Sequence, residues 1–235
     1  MTEKLIFFVE RKPGLSRKDF QQRFLESHCP LVLRHFATLR GLVVNLNARA
    51  EDRSDPADEL TRADAVAEMW FDTYDDFADL SRRYDSPDGR AALDADWREV
   101  ARKAHGYRTV ERVQRAYDGG SAPGAASPAS KLVAALRRVP ALSHDQFLDH
   151  WLHTHAPLAL RHVLGIGGYV TNEVTAPITP GSPDLDGIVE VLYTGTREFD
   201  SPEGETIMRA DTASFLQPPS PLRMTEYVLR AFSSP

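Results

Sequence analysis

The chain has 235 residues, of which 42% are hydrophobic and 26% are charged, and this composition is typical of a folded globular protein with one large domain or two smaller ones. The net charge is −6 and the basic residues are scattered, so the basic patch of a nucleic-acid-binding protein is missing. The one cysteine, Cys29, cannot form an internal disulfide, and neither a signal peptide nor a membrane-spanning apolar run is evident. We therefore expect a cytoplasmic protein that binds neither nucleic acid nor a membrane.

The first predicted element is a strand, KLIFFVER, whose apolar residues occupy both alternation positions, as in a strand covered on both faces. A helix follows, with Ser16 as its N-cap and an apolar stripe that includes Phe20 and Phe24. Pro30 lies inside this helix, where a proline removes a backbone donor. We therefore predict a break or kink near His28.

The remaining predicted elements complete a compact unit. A second strand, LVVNLN, begins after Gly41, and a third, VAEMWFD, follows a polar loop. A second helical region contains Leu80 and continues from Leu93 to Val100, and YRTVERV is the closing strand. The order βαββαβ is the ferredoxin-like arrangement, whose antiparallel sheet carries helices on one face and needs a cover on the other.

The same unit occurs twice. Residues 4–45 match residues 131–172 without a gap, at a constant shift of 127 residues. The match continues at smaller shifts, so the second copy is shorter around the middle loop and the second helix. The identical pairs include Pro13/Pro140, Ser16/Ser143, Phe20/Phe147, His28/His155, Pro30/Pro157, Leu31/Leu158, Arg34/Arg161, His35/His162, Gly41/Gly168, Glu68/Glu190, Arg108/Arg223 and Glu111/Glu226.

A segment rich in Gly, Ser, Ala and Pro separates the two copies and cannot build a core of its own. We predict a first module at 1–117, a flexible linker at 118–130 and a second module at 131–235. The fold class is then α+β, with tandem ferredoxin-like modules packing sheet to sheet. Each sheet has its cover within one chain, so we expect a monomeric pseudo-dimer, with higher assembly through the outer surfaces left open.

The motif F-x7-H-x-P-L-x-x-R-H, followed by a glycine and a strand that ends in asparagine, resembles the EthD family in both copies. The resemblance implies an intramolecular dimeric α/β barrel. It also implies, more loosely, a role in bacterial ether degradation or in aromatic and polyketide metabolism. The chain departs from a single-module member by carrying two modules and by shortening the second one.

The candidate catalytic residues are His28 and His155. Histidine titrates near neutral pH and can act as a general acid or base, and the adjacent helix break would aim the imidazole between helix and sheet. The alternative is that each histidine only packs or caps the kinked helix. Basic residues about two helical turns later could bind an anionic group or an enolate, or could pair with surface carboxylates and the helix end. These candidate substrate-binding residues are Arg34, His35, Arg161 and His162.

The predicted strands carry a second group of candidate substrate-binding residues. Glu68 and Glu190 lie mid-strand, where a dry surrounding would raise the carboxyl pKa, although a salt bridge across the barrel seam fits equally well. Asn45 and Asn172 could orient a carbonyl or serve turn chemistry. The aromatic candidates for a pocket wall, which could equally be core residues, are Trp70, Tyr169 and Tyr193.

A metal site is not expected. His150, His153, His155 and His162 lie close in sequence, but no cysteine or carboxylate joins them at a recognised ligand spacing. Cys29 is interpreted as a small packed residue, since its repeat partner is Ala156.

The sequence and the resemblance together favour a cofactor-independent lyase, dehydratase or cyclase that acts on a small apolar, carbonyl-bearing metabolite. In this hypothesis His28 or His155 moves a proton next to the carbonyl, and the Arg34/His35 or Arg161/His162 pair stabilises the oxyanion. Two alternatives stay open. One is a non-catalytic small-molecule binding or accessory protein, and the other is haem-dependent oxygen chemistry with one of these histidines as axial ligand.

Overall fold

The computed structural model describes residues 2–49, 58–117, 119–120 and 122–232. Within these residues, eight strands form one closed antiparallel barrel. The strands are β1 (Glu3–Arg11), β2 (Gly41–Asn47), β3 (Ala65–Phe71), β4 (Ala101–Arg115), β5 (Ser130–Leu136), β6 (Val163–Pro177), β7 (Gly187–Phe199) and β8 (Leu222–Arg230).

The helices lie outside the barrel and follow the predicted βαββαβ order in each half. A short 3₁₀ turn at Glu59–Arg62 precedes β3. The helices are α1 (Arg17–Arg23), α2 (Cys29–His35), α3 (Tyr74–Ala78), α4 (Leu80–Arg83), α5 (Pro87–Val100), α6 (His144–His150), α7 (Ala156–His162) and α8 (Pro202–Phe215). The second half has no counterpart of α3 and α4 among its described residues, because β7 runs on to Phe199 in their place.

The barrel is closed by two seams between the halves. The strand order β4-β1-β3-β2 of the first half continues into β8-β5-β7-β6 of the second, and β6 returns to β4. At the seams, β2 pairs with β8 and β4 pairs with β6. The predicted intramolecular barrel of two ferredoxin-like units is therefore confirmed, and the sheets are joined edge to edge as well as packed across the interior.

The apolar residues of each first strand serve two different cores. Leu5 and Val9 point outward and pack under the helices with Phe20. Ile6 alternates inward and packs across the barrel against Val133 of the second half. The two-faced pattern of KLIFFVER is thus explained by helices on one side of the sheet and the opposite sheet on the other.

The helix irregularity predicted near His28 is a wide π-helical turn and not a break, because the first helix of each half continues through it. Ser16 and Ser143 cap α1 and α6, each accepting a hydrogen bond from the backbone N–H three residues later. One wide π-helical turn, Phe24–His28 in the first half and Trp151–His155 in the second, then leads directly into α2 or α7. Each proline lies in the first turn after this widening, where its missing N–H is tolerated.

The described part of the segment between the modules runs along β8. The Gly124 N–H donates to the Val228 carbonyl at 2.9 Å, and the Ser127 N–H donates to the Glu226 carbonyl at 2.7 Å. Asp118 and Ser121 of the predicted linker lie outside the described residues, as do positions 1, 50–57 and 233–235 of the predicted modules. Among the described residues, no helix has the length and apolar character needed to span a membrane.

Candidate functional site

An apolar cavity of about 410 Å³ lies between the first helix and the sheet of the first half. This volume is within the range of small-molecule sites. Outward-facing residues of the sheet form its floor, and the helices form its walls. Its lining includes Phe7, Val9, Leu42, Val44, Ala67 and Met69 from the sheet, Phe24, His28, Cys29, Val32, Leu93, Asp94 and Trp97 from the helices, and Phe36, Phe77, Arg83, Tyr84, Ala104 and Thr179 around them.

His28 lines this cavity and is held by Asp96 of α5. Its Nδ1 lies 2.7 Å from the Asp96 carboxylate, which also accepts a hydrogen bond from the Ser27 hydroxyl at 2.9 Å. The imidazole packs between the rings of Phe24 and Trp97, at centroid distances of 5.1 and 5.5 Å. Because the carboxylate accepts the Nδ1 proton, the neutral ring carries its lone pair on Nε2, which makes no hydrogen bond to the described residues.

Burial sets the protonation of this histidine. It lowers the pKa of His28 below its usual value of 6.5, and the hydrogen bond and charge of Asp96 offset this only in part. The ring is therefore neutral near pH 7 and can accept a proton at Nε2. Cys29 beside it has a buried thiol whose pKa burial raises, in agreement with a packed, unreactive residue.

The second half contains the equivalent pair in a different setting. The Nδ1 of His155 lies 2.6 Å from Asp211, and burial likewise lowers the pKa of this histidine. His150 also approaches Asp211, at 2.8 Å, and its repeat counterpart in the first half is Arg23. The Phe215 ring packs against both imidazoles.

Large aromatic side chains fill the space beneath His155. Trp151 and Tyr169 replace Phe24 and Leu42 of the first half, and both are buried. Gly187 makes room for the indole, since a Cβ at this position would lie 2.4 Å from Trp151 Cζ3. Tyr169 is thus a core residue of the second half, together with the half-buried Tyr193.

The later histidines of the motif, His35 and His162, contact the residues just before α5 and α8. His35 contacts Asp85 through Nδ1 at 3.1 Å, and His162 contacts Asp200 at 3.0 Å, just before α5 and α8 begin. A Cβ at Gly89 would lie 2.5 Å from His35 Nδ1, so the SPDG glycine permits this close approach. Neither His35 nor Arg34 lines the cavity, and Arg34 and Arg161 are exposed on their helices.

The two strand glutamates lie inside the barrel in a buried charged layer, and Glu68 is on the face of β3 opposite to Ala67 and Met69 of the cavity lining. Lys4 Nζ is 2.6–2.8 Å from Glu68, Glu111 and Glu190. Lys131, its repeat partner, is 2.7 Å from Glu68, Glu190 and Glu226. Because each lysine contacts glutamates of both halves, this layer ties the two modules together.

Opposite pKa shifts distinguish the two central glutamates. Burial raises the pKa of Glu68, and the neighbouring Glu190 carboxylate adds to the effect. Burial acts in the same direction on Glu190, but the ammonium groups of Lys131 and Lys4 outweigh it and lower the pKa of that carboxyl. The salt bridge across the barrel that the sequence left open is therefore present.

Three further candidates surround the charged layer. Asn45 and Asn172 donate to Glu68 and Glu190 at 2.7 and 2.8 Å, and the buried Oδ1 of each has no hydrogen-bond partner among the residues that the structure describes. Trp70 also lies inside the barrel, with Lys4 Nζ 4.8 Å from its ring. Phe232 stacks on the indole at a centroid distance of 5.9 Å.

Asp96, Asp211 and the two buried lysines were missed by the sequence reasoning, although the repeat carried a signal for each. Lys4 and Lys131 start the matching segments, and the register of SPDG with SPEG aligns Asp96 with Asp211. Arg83 had no such signal, because it lies in α4, which has no counterpart among the described residues of the second half. Among the described residues, no group of three or more His, Cys, Asp or Glu has the arrangement of a metal site.

Solved structures confirm the fold. An anthrone oxidase-like protein matches with a TM-score of 0.61 and 12% identity, over 99% of this chain and 95% of its own. A candidate monooxygenase from Fusobacterium nucleatum matches with a TM-score of 0.51 and 9% identity, over 97% of this chain and 93% of its own. A candidate monooxygenase from Lactobacillus acidophilus NCFM matches with a TM-score of 0.50 and 9% identity, over 97% of both chains. At these identities the likeness concerns the fold.

Sequence comparison identifies the family. No protein of curated function matches the chain. The EthD domain profile, however, matches residues 12–103 and 139–219, one segment in each half of the barrel. The two segments cover most of the chain and include both copies of the histidine-proline motif. The chain therefore belongs to the EthD domain family and carries that domain twice.

Proposed function

We propose that the first-half cavity is the active site of a cofactor-independent enzyme of the lyase, dehydratase or cyclase type. Its substrate is a small, mostly apolar compound that carries a carbonyl group. The observation that carries the proposal is the His28–Asp96 pair, whose histidine lies on the wall of a mostly apolar cavity. A positioned neutral imidazole in a mostly apolar pocket suits proton transfer at carbon.

In the proposed step, His28 Nε2 removes a proton from the carbon next to the carbonyl. The C–H bond breaks, its electron pair moves to the carbonyl oxygen as an enolate, and the imidazole becomes positively charged. Asp96, 2.7 Å from Nδ1, stabilises that charge and keeps Nε2 directed at the ligand. In a dehydration, the enolate electron pair forms a C=C bond as the bond to a β-hydroxyl breaks, and the His28 imidazolium returns its proton to that hydroxyl, which leaves as water. In a cyclisation, the enolate carbon forms a C–C bond to a second carbonyl, and the imidazolium protonates the alkoxide that results.

The proposal favours His28 over His155 for a steric reason. The first half keeps an open volume against its sheet. In the second half, buried Trp151 and Tyr169 occupy the corresponding positions, and Asp211 is shared between two histidines. His155 then serves the packing of α6, α7 and α8.

The repeat provides a matched control for the test. We would measure deuterium exchange at the methyl group of 2-acetylnaphthalene in D₂O by NMR, for the wild type, His28→Ala and His155→Ala. We expect His28→Ala to reduce the enzyme-dependent exchange by about 10² or more, in line with the usual contribution of a general base. His155→Ala should retain most of it. Equal loss in both variants, or exchange that survives His28→Ala, would contradict the assignment.

Two alternative functions use the same cavity. A binding protein without catalysis would be shown by a ligand-induced rise in melting temperature without exchange or turnover of that ligand. Haem chemistry is favoured by one observation, the Nε2 of His28, which has no hydrogen bond to the described residues. A Soret band that appears on haem titration and disappears in His28→Ala would establish this alternative, and its absence in the wild type would exclude it.

A further inference from the structure

Arg83, the last residue of α4, lines the first-half cavity and has an unusual environment. Its guanidinium carbon lies 4.5 Å from the centre of the Phe77 ring, 4.8 Å from Tyr84 and 5.5 Å from Phe36. Aromatic faces attract a cation but accept no conventional hydrogen bond. The side chain is therefore held in place without its donors being satisfied.

No carboxylate of the described residues pairs with this guanidinium. The buried Nε of Arg83 has no hydrogen-bond partner in the described part of the chain. Of the acidic residues nearby, Asp76 is bound by Arg82 and by Thr73, and the half-exposed Asp94 on the cavity lining lies 3.7 Å from Arg90. An arginine with free donors beside an apolar cavity is a site for an anionic oxygen.

This feature belongs to the first half alone. Arg83 lies two residues before Asp85, and the residue two before the equivalent Asp200 is Glu198. In the second half the extended strand β7 replaces α3 and α4 and brings no arginine to this position. The Arg83 guanidinium and the open cavity thus occur together in the first half.

We infer that the ligand of this cavity is an apolar ring compound with a carboxylate or similar anionic oxygen group, which binds to the Arg83 guanidinium. The inference rests on the proposed function and makes it more specific. Arg83 selects for the charged end of the ligand, while His28 faces the carbon from which the proton is removed. Ligand size is limited by the aromatic residues that enclose the guanidinium.

The test compares two probes of equal shape, 2-naphthoate and 2-naphthamide, by isothermal titration calorimetry. Mildly alkaline pH keeps His28 neutral, so Arg83 is the cation on the cavity lining. We expect the wild type to bind the carboxylate at least about tenfold more tightly than the amide, as for a charge-assisted hydrogen bond. Arg83→Gln should remove this preference and leave amide binding unchanged. Arg82→Gln, which alters the neighbouring arginine on the surface, should change neither affinity.

A salt titration of the wild type gives a second readout that does not depend on the folding of a variant. Carboxylate affinity should fall with rising KCl, whereas amide affinity should stay constant. Equal binding of both probes at all salt concentrations would overturn the role of Arg83 and leave the proposed function intact. Failure of both probes to bind the wild type would count against the cavity as a ligand site, and thus against both proposals.

Discussion

Replacing Lys131 by methionine should strongly destabilise the protein. The ammonium group is buried and lies 2.7 Å from each of three glutamates. Methionine fills nearly the same volume, but among the described residues it leaves Glu68 and Glu190 with the Lys4 ammonium alone and takes from Glu226 the ammonium that it contacts. Removing one partner of a buried ion pair costs about 3–5 kcal/mol, because the remaining charge has lost its compensation. For a chain of this size, that corresponds to a fall in melting temperature of roughly 10 °C.

Urea denaturation near neutral pH, followed by circular dichroism, measures this cost. Lys12→Met is the matched control, since Lys12 pairs with Glu99 at 3.2 Å on the surface and should contribute no more than about 1 kcal/mol. Adding Glu226→Gln to Lys131→Met removes one uncompensated charge and should restore part of the loss. If Lys131→Met costs no more than Lys12→Met, the charged layer does not stabilise the barrel as argued.

Three further predictions concern other parts of the molecule. Burial lowers the pKa of His28 and His155, so their contribution to stability should be complete above pH 6.5 and decline as the pH falls below it; a His28→Ala/His155→Ala variant with the same acid profile as the wild type would contradict this. The catalytic rate should likewise fall on acidification only below pH 6.5, as His28 becomes protonated. In Asp96→Asn this fall should occur at a still lower pH, because Asp96 raises the pKa of His28. A fall at the same pH in the variant and the wild type would exclude His28 as the base. Gly187→Ala should lower the free energy of unfolding by about 1–3 kcal/mol, as overpacking of a rigid core does. Its new methyl group would meet Trp151, whereas Gly195→Ala, with open space around it, should be nearly neutral in the same denaturation assay.

The repeat made most of the fold predictable. Its constant register aligned Ser16 with Ser143 and His28 with His155, and both pairs take equivalent places in the structure. The alternation of KLIFFVER indicated a strand covered on both faces, and the closed barrel supplies both covers. The continuous helix at Pro30 was not predictable, because a π-helical turn has no residue pattern that distinguishes it from a break.

The candidate site was predictable only in part. His28 stood out through its residue type and its place beside Pro30, but its partner Asp96 lies on another helix, 68 positions away. Glu68 could be placed in the middle of its strand, whereas the lysines that neutralise it come from two other strands. Arg83 is distinguished by its aromatic neighbours and its missing acceptor, which only the folded chain reveals.

A crystal structure with 2-acetylnaphthalene bound would test the central claim most directly. We expect the ligand in the first-half cavity, between α2, α5 and the sheet, with its methyl carbon within contact distance of His28 Nε2. The second half should remain closed by Trp151. Ligand bound beneath His155 instead, or an Nε2 turned away from a ligand in the first-half cavity, would contradict the assignment of this site.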